Sequence, residues 1–541
     1  MKLSSIFSVL LVATSVAMVV AQGNGNGGGN GVGNTMKLEH IRTIEGYDRD
    51  DDLGAAHTPL RRLSSVNYQD DIGEMIEGRN PRNISNAVCR DPSGSGNTFN
   101  ARGMSDMVWA WGQFIDHDID LTEPASSFGS IAVEIPATDG DVFSEAGCAE
   151  MVVTRSEFVE SPRQQVNLIT SCLDASGVYG SEPHRADLLR TKVDGKLKTS
   201  AGGLLLPYNE YEEDNAGGTG NNLFLAGDIR ANEQIGLTAM HTLFVREHNR
   251  LADKIKQHFK DASDEEIYQL ARKLVGAEIQ KITYTEFLPA LLGDMAPSLD
   301  DYDGYDPSYD PSIFNEFSTV AYRFGHSMIS GDLALATQSG ITQTVRLKDH
   351  FFLPSFYEED ASRIDMVIAG LTKNVAQEID NKIVEDVRSF LFDAPTDSVC
   401  LDLAGLNIMR ARDHGLPKYN EMREALGLGR VDSFSQVTSD TTLQEELASV
   451  YESVDEIDPW VGALAEDHVG GGNLGQLASF IISKQFEHLM RGDPLFYLID
   501  PDLAAIQNLN GILNLKTLNF AEVIRQNTFL SNINADNVFF V

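Results

Sequence analysis

The 541-residue chain carries 42 Lys and Arg against 80 Asp and Glu, a formal net charge of −38. A field of that sign repels nucleic acid and anionic membrane surfaces, so neither is expected as a partner; it reads as the acidity that keeps an extracellular protein soluble. A chain of this length buries most of its apolar surface, so a dry cofactor cavity needs no disulfide stapling.

Met1-Lys2, the apolar run from Ile6 to Val20 and the small Ala21 have the form of a secretory signal peptide over residues 1–21. The run is too short for a membrane span and no later stretch is long enough, so the chain is expected to be secreted. Residues 22–35, almost all Gly and Asn, read as a flexible tether, which leaves 36–541 as one domain. From Lys37 to Arg102 the richness in Pro, Gly, Asn and Asp predicts extended arms over a core. Asn83-Ile84-Ser85 within it is an N-glycosylation sequon, expected on a loop. Cys89, Cys148, Cys172 and Cys400 permit one or two disulfides in three full pairings and match no zinc spacing.

Helical periodicity dominates the remainder. Leu237 to Lys256 sets Leu237, Met240, Leu243, Phe244, Leu251 and Ile255 in one stripe, and Asp264 to Gln280 opens on acids and repeats the period. Ile364 to Leu371, Val375 to Phe392, Leu474 to Met490 and Thr517 to Asn527 read the same way, the last with Thr517 as N-cap. Alternating strands are few, and Asp300 to Pro311 reads as turns. The fold class is mainly α, a single large helical domain.

Five stretches carry chemistry. Trp109 to Thr122 is helical in spacing and holds Asp116, His117, Asp118 and Asp120 with Gln113 one turn earlier, a histidine that is either a satisfied core residue or, among these acids, part of a reactive site. Leu168 to Ser181 offers the oxygens of Thr170, Asp174 and Ser176 at even spacing, the pattern of a loop around a hard cation or of an ordinary turn. Leu223 to Leu237 runs into the helix of His241 and His248, with Arg230 and Glu233 spaced for a salt bridge, a cap or a site. Phe317 to Met328 contains His326 after Gly325, a metal ligand or a packed residue. Leu406 to Pro417 compresses Arg410, Arg412, Asp413 and His414 behind Asn407.

In this order the five stretches resemble the animal haem peroxidase family, part of the peroxidase–cyclooxygenase superfamily. The likeness runs from about Ile41 to about Leu530 and takes in Gly54 to Leu63, Asn80 to Val88 and, more loosely, Gly462 to Glu466. The resemblance implies haem b buried between central helices, with His117 as distal base, Arg230 as distal arginine and His326 as iron ligand. Asn407 would accept the second N–H of the His326 imidazole. His117 would move the peroxide proton between the two oxygens, and Arg230 would stabilise the charge that develops as their bond breaks. Gln113 matches the residue that hydrogen-bonds distal water or halide. Asp116 and Glu233 match carboxylates that form ester bonds to haem. Asp118, Thr170, Asp174, Ser176 and the carbonyl of Cys172 match a calcium site that would anchor the distal helix.

The expected activity is reduction of hydrogen peroxide with oxidation of a small donor. Gln234 stands where the chlorinating member has methionine, which points to bromide, iodide, thiocyanate or phenols rather than chloride. Two other readings share the resemblance. A fatty-acid dioxygenase would carry a radical tyrosine three residues before the proximal histidine; Arg323 stands there, and Tyr322, one place earlier, should be turned away from that position by about a quarter turn. A calcium-stabilised adhesion protein without catalysis is the other. Arg491-Gly492-Asp493 matches an integrin-binding tripeptide by chance and reads as the family's own turn.

Overall fold

The computed structural model describes residues 36–541 except 50, 92–97, 125, 139, 160, 394–399, 507–508 and 535. The expected signal peptide and Gly/Asn tether therefore lie outside the described residues. The rest is one large, mainly helical domain built around α1 (Met107–Ile119) and α2 (Ile235–His258). Helix α1 is buried nearly all round, as a central helix is; only Gln113 and Asp116 are partly exposed. Phe114 of α1 stacks on Phe244 of α2 at 5.0 Å between centroids. Trp111 lies 4.6 Å from Phe520, which opens the C-terminal helix.

Helix α3 (Asp264–Ile282) packs along α2 and starts in a capping box, with Ser263 and Glu266 each satisfying the other's backbone N–H. Helix α4 (Arg363–Leu371) packs on α2 and on strand Asp332–Thr337 of a two-stranded hairpin. At that crossing a β-carbon on Gly370 would sit 1.7 Å from the carbonyl oxygen of Ala334, so only glycine lets the helix approach. Gly370→Ala is expected to cost at least about 1–3 kcal/mol as helix and strand are pushed apart. An unchanged thermal midpoint would show that the crossing is not close-packed. Helices α5 (Leu403–Asp413), α6 (Gln476–Arg491) and α7 (Phe520–Asn527) complete the frame.

The amino-terminal arms run mostly extended over this frame, with a three-stranded sheet formed by Thr58–Pro59, Gln164–Asn167 and Phe158–Val159. A one-turn helix, Pro81–Ile84, interrupts them, and Arg82 from it is fully buried between Asp141 (2.8 Å) and Asp402 (2.7 Å). Asn83 is exposed on that helix rather than on a loop.

Two element expectations fail. Val375 to Phe392 is not a helix: Val375, Gln377 and Ile383 bridge to Ser105, Phe99 and Arg90, and only Glu385–Arg388 and Leu391–Asp393 turn. The arms supply the backbone partners a helix would otherwise provide from within. The last helix starts at Phe520, not Thr517, because Asn519 caps it by accepting from Glu522 N. Of the four cysteines Cys148 and Cys400 are bonded, with Cα atoms 6.3 Å apart, while Cys89 and Cys172 are buried thiols. Among the described residues no helix is long and apolar enough to cross a membrane.

Candidate active site

One cavity of about 640 Å³ opens inside the domain, within the roughly 300–1,000 Å³ that cofactor sites occupy. Its wall holds Gln113, Asp116, His117 and Asp120 from α1 and the residue after it, a single helical face at i, i+3, i+4 and i+7. Arg230 and Glu233 from the segment before α2, and Tyr322, Arg323 and His326 from Phe317 to Met328, line the same space.

His117 is buried, and burial and the Arg230 charge hold its pKa well below the ordinary value. It is therefore a neutral imidazole near pH 7. Its Nδ1 has no hydrogen-bond partner and lies 3.7 Å from Asp228 Oδ1. Arg230 is held by that same carboxylate: Nε donates to Oδ1 at 2.9 Å and Nη2 to Oδ2 at 2.8 Å, while Nη2 also reaches Asp120 O at 2.9 Å. The partner of Arg230 is thus Asp228, not Glu233. Glu233 accepts from Gln113 Nε2 (3.1 Å), and Gln113 Oε1 accepts from Gln234 Nε2 (3.0 Å). Burial pushes the Glu233 carboxyl up to about 7, and burial with the nearby Asp120 pushes Asp116 up to about 8. Both acids are ones that would be substantially protonated near neutrality.

His326 sits on the one-turn helix Gly325–Met328. Burial, then Arg323, lower its pKa to about 3, so it presents a neutral ring. Its Nδ1 is 2.8 Å from Asn407 Nδ2, which leaves Nε2 for a metal in the cavity. Asn407 was expected to offer its oxygen; that oxygen instead accepts from Arg323 Nη1 at 2.9 Å, because a guanidinium only donates. A ring bound to metal through Nε2 keeps its hydrogen on Nδ1, so it would need the carboxamide turned by half a turn. Two neutral imidazoles, a cation and protonatable acids around one cavity suit an iron porphyrin, whose iron takes an imidazole and whose edge meets carboxyls.

The second set lies on the other side of α1, one residue and about 100° on from His117. Asp118 Oδ1 and Oδ2 accept from Gly177 N (2.8 Å) and Ala175 N (3.0 Å), and Ser176 Oγ donates to Asp118 O (2.7 Å). Thr170 Oγ1 donates to Asp174 Oδ1 (3.1 Å), while Asp174 Oδ2 is buried and unpartnered. Burial and the proximity of Asp174 drive the Asp118 carboxyl well above its ordinary range. An unpartnered buried carboxylate oxygen among hydroxyls fits a hard cation. Among the described residues no cluster of three or more His, Cys, Asp or Glu is arranged for a metal. Affinity would therefore depend on the hydroxyls and on the carbonyl of Cys172.

Three groups at the site escape sequence reasoning. Asp228, two residues before Arg230, is one; its signal was only a carboxylate beside an arginine in a turn. Arg323, which donates to Asn407, is the second. The third is His241, whose Nδ1 lies 3.1 Å from Gly177 O. Tyr322, expected to be turned away from the radical position, lines the cavity, stacked on Phe317 at 4.5 Å with its hydroxyl unpartnered. Asp493 of the Arg-Gly-Asp tripeptide is buried, accepting from Arg42 Nη2, Gln280 Nε2 (3.1 Å) and Leu495 N (2.8 Å).

Comparison with known proteins matches residues 42–539 to the model of the animal haem peroxidase family. Peroxinectin A of Dictyostelium discoideum is 33% identical over 510 residues, covering 90% of this chain and 92% of its own. The solved structure of Peroxidase A from Dictyostelium discoideum superposes with a TM-score of 0.85 at 31% identity, over 93% of this chain and 100% of that one. A fatty acid alpha-dioxygenase of Arabidopsis thaliana shares the fold at TM-score 0.74 and 20% identity, over 93% and 83% of the two chains.

Proposed function

Because the chain belongs to the animal haem peroxidase family, we propose that His117 and Arg230 handle peroxide at a haem iron that His326 would hold. The enzyme is a haem-dependent oxidoreductase acting on hydrogen peroxide. The observation that carries the assignment of roles is that His117, Arg230 and His326, from three separate segments, line one cavity. Haem held by His326 would supply a redox-active iron for peroxide reduction and donor oxidation. The chain's own work is proton and charge handling. Neutral His117 takes the proton of the near oxygen and returns it to the far one, which leaves as water. Arg230 stabilises the negative charge of the parting oxygens. Asp116 and Glu233, poised near neutrality as acids, are the residues that would form ester links to the haem edge.

The finer reading names the donor. Gln234 binds Gln113 where a methionine would otherwise stand, which supports bromide, iodide, thiocyanate or phenols over chloride. The protein is read as secreted, with residues 1–21 as signal peptide, 22–35 as tether and 36–541 as the catalytic domain. Burial of Asp493 supports the reading that the Arg-Gly-Asp tripeptide does not bind integrin. Tyr322 at the cavity wall favours the fatty-acid dioxygenase as a second reading, but Arg323 occupies the place from which that chemistry would start.

An absorption spectrum before and after one equivalent of peroxide tests the assignment. The haem band is expected to shift within milliseconds and return on adding bromide, iodide or a phenol. Absence of a haem band in protein expressed with ample haem and calcium would move the reading to the adhesion protein. Calcium, held by Asp118, Thr170, Cys172, Asp174 and Ser176, is proposed to anchor α1. Chelation is then expected to slow the peroxide reaction by about tenfold or more, because Asp118 is the residue after His117, and added calcium should restore it. A rate unmoved by chelation, with metal analysis showing removal, would refute the anchor.

A further inference from the structure

We infer that Asp228 is the positioning residue that fixes both His117 and Arg230, selecting the imidazole tautomer and aiming the guanidinium. This rests on the reading of those two residues as the peroxide-handling pair.

The Asp228 side chain is 1% exposed, and the hydrogen bonds its carboxylate accepts come from Arg230. Oδ1 accepts from the Arg230 backbone N (2.8 Å) and Nε (2.9 Å), and Oδ2 from Nη2 (2.8 Å). With Nε and Nη2 engaged, Nη1 is the guanidinium nitrogen left for the cavity. The same Oδ1 lies 3.7 Å from His117 Nδ1, an atom buried with no other partner. A carboxylate only accepts, so the imidazole hydrogen belongs on Nδ1 and the lone pair of Nε2 is left to receive a proton from a ligand in the cavity. Without this anion either nitrogen would carry the hydrogen, and one of the two forms cannot act as a base at the cavity.

The carboxylate is itself held in place. Asp228 N donates to Gly177 O at 3.1 Å, and the His241 ring meets the same carbonyl at 3.1 Å. A β-carbon on Gly227 would stand 2.4 Å from Ser176 O and 2.5 Å from Gly180 N, so the segment carrying Asp228 lies flush on the turn Ser176–Tyr179. An aspartate on so closely seated a backbone is a fixed reference for the His117 and Arg230 side chains.

The test uses haem-loaded protein and two readouts, the second-order rate constant with peroxide and the dissociation constant of cyanide. Asp228→Asn is expected to lower the rate constant by about 100-fold or more and to weaken cyanide by about tenfold, with haem content unchanged. Added to Arg230→Ala, the same change is expected to slow the reaction by less than about tenfold further, since part of its role has gone with the guanidinium. If Asp228→Asn does not retain haem, Asp228→Glu carries the test; it keeps the charge, displaces it by one methylene, and should lose about tenfold in rate. Parental rate and cyanide affinity in the variant that holds haem would overturn the inference, as would losses that multiply in full in the double variant. A normal rate in Arg230→Ala alone would instead overturn the reading on which it rests.

Discussion

His326→Ala is expected to give a folded protein whose haem occupancy is at least about tenfold below that of the parent. Among the residues that line the cavity, His117 and His326 are the two imidazoles, and only His326 has a ring nitrogen within hydrogen-bond distance of another side chain, Asn407 at 2.8 Å. Removing the ring takes away the one nitrogen placed to bind iron and leaves a hole beside Asn407 and Arg323. Ester links proposed through Asp116 and Glu233 would not substitute, because they would form only after haem had been held and turned over with peroxide. Haem absorbance per mole of protein measures the loss, and far-ultraviolet circular dichroism establishes that the helices persist. Imidazole added to the medium should enter the hole and restore part of the occupancy. Full haem in His326→Ala would remove this residue from the role of ligand.

Arg230→Ala is expected to keep its haem and to react with peroxide about 10²–10³-fold more slowly, the usual loss for one preorganised donor at a developing charge. The slowing should fall on the bimolecular step with peroxide and leave the later reaction with the donor little changed, which stopped-flow absorbance resolves. A second effect accompanies it. The Asp228 carboxylate, bound by Nε and Nη2 in the parent, is left buried without its counter-charge. Breaking a buried pair from one side costs about 3–5 kcal/mol, so a lower thermal midpoint is expected in the same variant. Arg230→Ala with Asp228→Asn should recover much of that stability without recovering rate, which separates the two roles. A parental peroxide rate in Arg230→Ala would exclude it from the chemistry.

The long helices were legible because their cause is local. In α2 and α3 the apolar residues recur at the helical period over about five turns, and the acids that follow Ser263 announce a start that the structure realises as a capping box. Val375 to Phe392 shows the limit of that signal. Its apolar residues are spaced for a helix, yet their backbone groups are met by Arg90, Phe99 and Ser105, which come from far back in the chain. Thr517 and Asn519 are both cap residues by chemistry, and only the position of the turn before Phe520 selects Asn519.

The residues of the site divide in the same way. His117, Arg230, His326 and Asn407 stand in short runs none of which names a function by itself, and it is their order along the chain that resembles one family. The sequence also determined the acidic surface and the helical class, since charge and period are properties of the chain alone. Only the tertiary structure decided that Asp228 rather than Glu233 holds Arg230, that Arg323 claims the oxygen of Asn407, and that Tyr322 lines the cavity. It likewise decided that Cys148 pairs with Cys400 across 252 residues. A hydrogen bond or a disulfide depends on distances of a few ångströms, and for groups in turns or on different segments those distances are set by how the helices pack.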